Sequence, residues 1–494
     1  MGCWFSGNLL KSKLLCIEDI FTMKGNYPFY KKIVFVLTLI IFLLNGFYWR
    51  FLGVESCQAL TIEEERAMGK KFKLELDKHL ELIKDQSIQG YIDRVGKNIT
   101  SQIESKIFDF NLYIYKSSDP NAFAIPAGYI YISTGLITLA ENEAELAGVL
   151  SHEIGHVMAR HIAERIEKES KLNIATLAAI LAGVFLGGGG QAASAVGAFS
   201  VATAQTLSLK YSRENEEEAD RLGLNYLTKA GYDGSGMIGF LKKIKRHRLE
   251  SFQVPPYLLT HPEVEKRIDY LDLMLIRLPK QGQSENNVDN LRIIQAKVIV
   301  DTWLPKNAAD HFKSSLESDP KRPDLIYGLA LTNKKLGDYD QAIKGFKMAL
   351  TVHPEDGEIL RELGICYLSE GKTEDAAKFL KKSVAINEKD KAAWYNLGRV
   401  YQENGNFQEA IQAYQRVKRL DTDFVDVSYN LGIVYGKKGL LGYAHQNFGI
   451  FFKLKGKPDS ALFHFNKALE YYGKDTEERR KILKEVEEIQ KNKK

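Results

Sequence analysis

Hydrophobic and polar positions divide the 494-residue chain into three regions that differ in period. The first region holds the apolar run Ile33 to Leu44 (IVFVLTLIIFLL), preceded by Lys24, Lys31 and Lys32. Basic residues ahead of such a run are the layout of an export signal. Cys57-Gln58-Ala59 offers a small-x-small cleavage site, and Met23 offers a more conventional start than Met1. The run is near the lower limit of about 17–25 residues for a bilayer span, so a cleaved signal and a retained anchor both fit. Lipidation of Cys57 after the small Ser56 is a third reading, and all three export the remainder of the chain.

The second region mixes periods over residues 60–280. Apolar positions recur at helical spacing through Ala67–Ile83 and Ile88–Ile103, then alternate as strands do in Phe108–Tyr115 and Gly128–Ser133. A long helical pattern covers Asn142–Ile166. Ile174–Leu207, rich in Ala, Val and Leu, is interrupted by Gly187–Gly190. Each of its halves is short for a membrane span, which predicts buried or flap helices. Few strands among many helices predict an α+β unit, and the polar stretch 281–290 (QGQSENNVDN) predicts a linker.

The third region, residues 291–494, repeats. Gly337, Gly371, Gly405 and Gly439 are each 34 apart, as are Ala342, Ala376, Ala410 and Ala444. A 34-residue unit with a glycine turn between two helices and an alanine where they cross resembles the tetratricopeptide repeat and predicts an all-α solenoid. The register then slips: Gly456 and Ala461 keep the offset of five but come only 17 residues after Gly439 and Ala444. One helix, about Gly442 to Leu454, is therefore expected to serve two successive pairs, with a polar helix over Thr476–Lys491 as the cap. Stacked repeats leave a concave surface, so protein partners are expected there.

Composition narrows the function classes. Lys+Arg 68 against Asp+Glu 63 gives a net charge of +5, no polyelectrolyte drive toward nucleic acid. Cys3, Cys16, Cys57 and Cys366 are scattered without metal-ligand or disulfide spacing. Any metal chemistry therefore falls to histidine and carboxylate.

His152-Glu153-Ile154-Gly155-His156 supplies it. Histidines at i and i+4 share one helical face and can hold one Zn²⁺, with Glu153 beside the open position as the general base. A third ligand is needed, and residues 213–220 (RENEEEAD) offer several carboxylates. The apolar face of that helix runs through Ala219, Leu222, Gly223, Tyr226 and Leu227, and stepping back along it lands on Glu216. Asp220 falls on the same inner face, placed to accept a proton from the other nitrogen of a zinc histidine.

These elements resemble the gluzincin metallopeptidases of the HtpX and CAAX-prenyl-protease type, which pair His-Glu-x-x-His with a distant Glu-x-x-Ala-Asp. The resemblance implies a zincin-like fold over residues 60–280, one Zn²⁺ held by His152, His156 and Glu216, and catalysis by Glu153. It extends to Leu259-Thr260-His261-Pro262 and Arg267, implying a histidine and an arginine near the metal. Either could face a developing oxyanion. His261 has a rival role as a fourth ligand that shuts the site, and a plain one as a His-Pro loop cap. Asn121, Ala122 and Phe123, with Tyr129 and Tyr131 on the Gly128–Ser133 strand, are implied as the substrate-binding edge to which an extended peptide adds. Ala127 stands where relatives often have glycine. His161 and Arg160 read as supporting residues. Taken with the export signal, the resemblance implies a periplasmic or membrane-associated endopeptidase. Its expected substrates are misfolded or stalled outer-membrane proteins, and its repeats would bind clients or assembly machinery.

Overall fold

The computed structural model describes residues 60–168, 210–250, 254–278 and 288–492. The apolar run Ile33–Leu44, Cys57 and the Ile174–Leu207 stretch lie outside the described residues, as does most of the expected linker. Among the described residues no helix is long and apolar enough to cross a membrane.

The α+β part starts with α1 (Ile62–Leu76) and α2 (Gln86–Thr100), whose N-caps Thr61 and Asp85 satisfy first-turn amides. Three strands come next: β1 (Asn111–Tyr115), β2 (Ala122–Ile125) and β3 (Tyr129–Ser133). Their order is β1-β3-β2, with β1 parallel and β2 antiparallel to β3. The strand expected to offer a free edge is therefore the middle one, and its backbone is paired on both sides. A peptide cannot add to β3, whereas β2, which carries Ala122 and Phe123, is an edge among the described residues. Tyr131 is fully buried, stacked between Tyr113 and Phe123 in a cluster with Phe72 and Leu76 of α1, so it packs the sheet. The turn before β3 puts Ala127 at φ 68, a left-handed conformation that explains why glycine suits this position.

The opposite face of the sheet meets α3 (Thr134–Leu139) and α4 (Glu143–Met158), sharing one core through Ile130, Ile132, Leu146 and Leu150. The helix expected over Asn142–Ile166 breaks after Met158. Arg160 takes φ 57, and α5 (His161–Lys168) restarts in a new direction. Among the described residues the next helices are α6 (Arg213–Lys229), α7 (Ser235–Glu250), the short α8 (Pro256–Thr260) and α9 (Val264–Arg277).

Val288–Asn290 of the expected linker open α10 (Val288–Thr302). Its Leu291, Ile294 and Val298 lie in the α+β core, while Ala296 and Ile299 pack with Phe312 and Leu325 of the next two helices. Lys297, buried in this helix, reaches Asp85 Oδ1 at 3.1 Å on one side and Glu358 Oε1 at 2.5 Å on the other.

The solenoid continues with α11 (Pro305–Ser318) and the pairs α12 (Pro323–Leu336) with α13 (Tyr339–Val352) and α14 (Gly357–Ser369) with α15 (Thr373–Ile386). Next come α16 (Lys391–Glu403) with α17 (Phe407–Leu420) and α18 (Val425–Lys437) with α19 (Leu441–Leu454). The turn glycines all have φ between 67 and 81, the left-handed position that ends a helix. Phe448 of α19 lies over Gly432 of α18, and Gly449 of α19 lies in turn under Phe465 of α20 (Pro458–Leu469). The same glycine-under-ring contact thus recurs 17 residues later, and α19 serves two pairs as its sequence predicts. The cap, α21 (Glu477–Asn492), buries Ile482 and Ile489 against α20.

Candidate metal centre

Helix α4 places His152 and His156 one turn apart, and it is anchored where it starts. Asn142 caps it, and Glu143 accepts hydrogen bonds from Tyr91, Arg94 and Tyr232. Helix α6 crosses it at backbone distance because both carry glycine at the crossing. Gly155 faces the Ala219 main chain, and Gly223 faces the Ser151 main chain. This approach carries Glu216 to the two histidines. His261, at the end of α8, closes the group from a third direction.

His152, His156, Glu216 and His261 are all buried, and each offers a ligand atom within 4.8 Å of the others. The Nε2 atoms of His152 and His156 are 3.0 Å apart. Glu216 Oε1 lies 3.4 Å from His156 Nε2 and 3.0 Å from His261 Nδ1. Three imidazoles and a carboxylate in a dry pocket fit a borderline divalent cation such as Zn²⁺. Both oxygens of Glu153 are buried without a hydrogen-bond partner, and His261 Nε2 is 3.4 Å from one of them. A bare carboxylate beside the donors is otherwise costly, and it is what a base awaiting water requires.

Burial pushes the Glu153 carboxyl up from its ordinary range and holds the His156 imidazole well below its own. At Glu216 burial also acts to raise the carboxyl, but the Arg267 guanidinium, with His261 beside it, outweighs burial and leaves it well below the usual range. Asp220 is lowered the same way, by Arg267 and His152 against burial.

Asp220 Oδ1 is 2.7 Å from His152 Nδ1, as the helix face implies. The Arg267 guanidinium binds both oxygens of Asp220 at 2.7 and 2.8 Å and lies 2.6 Å from Glu216 Oε2. Two carboxylates thus flank the group, and its bonds to Asp220 tie it to the inner face of α6. Asn121, Ala122, Phe123 and Tyr131 are buried in or beside the sheet and none belongs to the donor cluster. Tyr129 is half-buried on β3 and is likewise outside it.

Sequence reasoning missed two aromatic walls. Tyr211 stacks on His156 at 3.8 Å between ring centres, and Tyr257 stacks on His261 at 4.4 Å. The Tyr211 amide also bonds to the Thr260 carbonyl, joining the start of α6 to the His261 loop. The only hint was an aromatic residue just ahead of the capping Ser212.

Comparison with known proteins agrees with this geometry. Residues 86–274 match peptidase family M48, and residues 323–389 and 367–429 match tetratricopeptide repeats. The beta-barrel assembly-enhancing protease of Yersinia pestis is 31% identical over 44% of this chain and 45% of its own length. Its namesake in Escherichia coli K12 is 27% identical over 59% of this chain and 61% of its own. The mitochondrial metalloendopeptidase OMA1 of Arabidopsis thaliana is 31% identical over 44% and 41%. The chain spans less than two thirds of the length of these relatives. Residues 86–274 thus resemble a peptidase family M48 domain, and the helices after them resemble tetratricopeptide repeats.

Proposed function

We propose that the chain is a zinc-dependent endopeptidase of the cell envelope that cleaves misfolded or stalled exported proteins, with the repeats holding clients or assembly partners. The observation that carries the reading is the buried donor set His152, His156, Glu216 and His261 with the unpartnered Glu153 carboxylate beside it. His152, His156 and Glu216 would hold the metal, and Asp220 fixes the orientation of His152. When bound, Zn²⁺ supplies Lewis acidity, polarising a peptide carbonyl and acidifying water. Glu153 takes the proton of the attacking water and passes it to the departing amine; its raised affinity for protons suits the first transfer. His261 joins the donor set in this conformation, so substrate entry requires that it give way, after which its imidazole can donate toward the oxyanion. The exported location rests on the Ile33–Leu44 run, and the client class on the names of the relatives.

Cleavage of an unfolded β-barrel protein by the full chain, with and without a chelator and beside Glu153→Gln, tests the reading. Chelator-sensitive cleavage that Glu153→Gln abolishes supports it. Cleavage that persists in Glu153→Gln overturns it. Metal analysis of Glu216→Ala checks the third ligand, since full zinc occupancy in that variant would move the role elsewhere.

A further inference from the structure

We propose that His161 is a positioning residue for His156. It accepts the proton on the far nitrogen of that ligand and, through Glu218, ties the metal centre to the protein surface. The proposal rests on the reading of His156 as a metal ligand.

The backbone makes the contact. In a continuous helix, residues five apart point about 140° away from each other and cannot meet. Here α4 stops at Met158, Arg160 turns left-handed at φ 57, and α5 brings His161 back over His156. The two Nδ1 atoms are 3.0 Å apart, with His156 fully buried and His161 nearly so. A residue with a β-carbon adopts this conformation only where its surroundings impose it. The surroundings are visible: Arg160 Nε donates at 2.8 Å to Glu65 Oε2, a carboxylate that α1 buries. Local sequence offers no other reason for ending a well-formed helix there, since neither glycine nor proline occurs between Met158 and His161.

The direction of the hydrogen bond is set by chemistry. His156 turns Nε2 toward the other donors, at 3.0 Å from His152 Nε2 and 3.4 Å from Glu216 Oε1. A cation on Nε2 leaves the proton on Nδ1, which must donate. His161 Nδ1 is the acceptor within reach, so His161 carries its own proton on Nε2, 3.4 Å from Glu218 Oε2. The two ligand histidines are therefore backed differently. His152 leans on the buried carboxylate of Asp220 at 2.7 Å, while His156 leans on a neutral imidazole whose own partner, Glu218, is half exposed. An outer partner of this kind fixes the ring and raises ligand basicity.

The test is Zn²⁺ affinity of the full chain, read by competition with a chelating indicator, so that activity is not the readout. His161→Phe keeps the bulk and removes the acceptor, whereas His161→Gln retains an acceptor for His156 and a donor for Glu218. Loss of affinity of about 10–100-fold in His161→Phe, largely restored in His161→Gln, is expected. Metal-free melting curves of both variants separate this from misfolding, and His161→Leu replaces Phe if that variant does not fold. Zinc held equally by wild type and by the apolar variant refutes the positioning role alone, as does equal loss in the Phe and Gln variants. A wild-type chain that takes up no Zn²⁺ refutes the metal-site reading and this proposal with it.

Discussion

Gly155→Ala tests whether the α4–α6 crossing sets the metal site. A β-carbon at Gly155 would lie 2.5 Å from the Ala219 carbonyl oxygen and 3.0 Å from its Cα. Ordinary contact begins at 3.4 Å, so the gap is about 0.9 Å too small, and the obstructing atoms are backbone that no rotamer change can move. Helix α6 must retreat by a comparable distance, taking Glu216 with it. Metal sites tolerate about 0.2 Å in ligand distance. Overpacking costs about 1–3 kcal/mol, and the better helix propensity of alanine returns up to about 1 kcal/mol. The expected net loss is up to about 2 kcal/mol in urea unfolding of the metal-free chain, with a tenfold or larger loss of zinc affinity. Gly90 is the control: exposed in α2 with nothing near its missing β-carbon, its change to alanine should stabilise by about 0.5–1 kcal/mol and leave zinc binding untouched. A Gly155→Ala chain with wild-type stability and wild-type zinc affinity would show that the helices are not pinned by this contact.

Three further outcomes concern the repeats. Burial acts to raise the Glu362 carboxyl, but Lys334 and Arg361 hold it down to about 2 in the folded chain, against an ordinary 4.5. Its stabilisation, on the order of 3 kcal/mol, is therefore complete above about pH 4.5 and fades as pH falls toward 2. Urea midpoints of wild type and Glu362→Gln should converge over that window, and parallel curves would refute the assignment. Burial pushes the Cys366 thiol up to about 12, so the Cys366 peptide should resist alkylation at pH 8 until the chain is unfolded, read by mass spectrometry. Phe465→Ala removes the ring that covers Gly449 and should cost about 3–5 kcal/mol, with hydrogen exchange rising first in α20 and α21; unchanged exchange there would count against the double use of α19.

The solenoid was legible because its signal is repetition. Glycine and alanine at fixed offsets give the turn and the crossing, and even the 17-residue slip could be read as one helix shared by two pairs. The inward placing of Glu216 and Asp220 beside the histidines was legible because helix periodicity separates them from their solvated neighbours. Strand order was not, since alternation marks Tyr129 and Tyr131 as strand residues without saying which strand ends up between the others. The break at Arg160 was hidden too. The apolar pattern continues through it, and the Arg160 side chain is held by Glu65, almost a hundred residues earlier. Arg267 was found, but its place in the sequence did not reveal that Asp220 and Glu216 lie against it.

Helix α10 belongs to two cores at once, and this limits how the protein can be divided. The described residues from Thr61 onward belong to a single compact unit. A chain cut near residue 280 would lose Leu291, Ile294 and Val298 and open three apolar sockets in the α+β part; a chain started at 303 would leave Phe312 and Leu325 uncovered in the repeats. Shedding the repeats is therefore not a route to an intact α+β part. Recombination that exchanges one half for another must carry α10 with it and rebuild the side that it leaves, so the joint evolves as part of both halves.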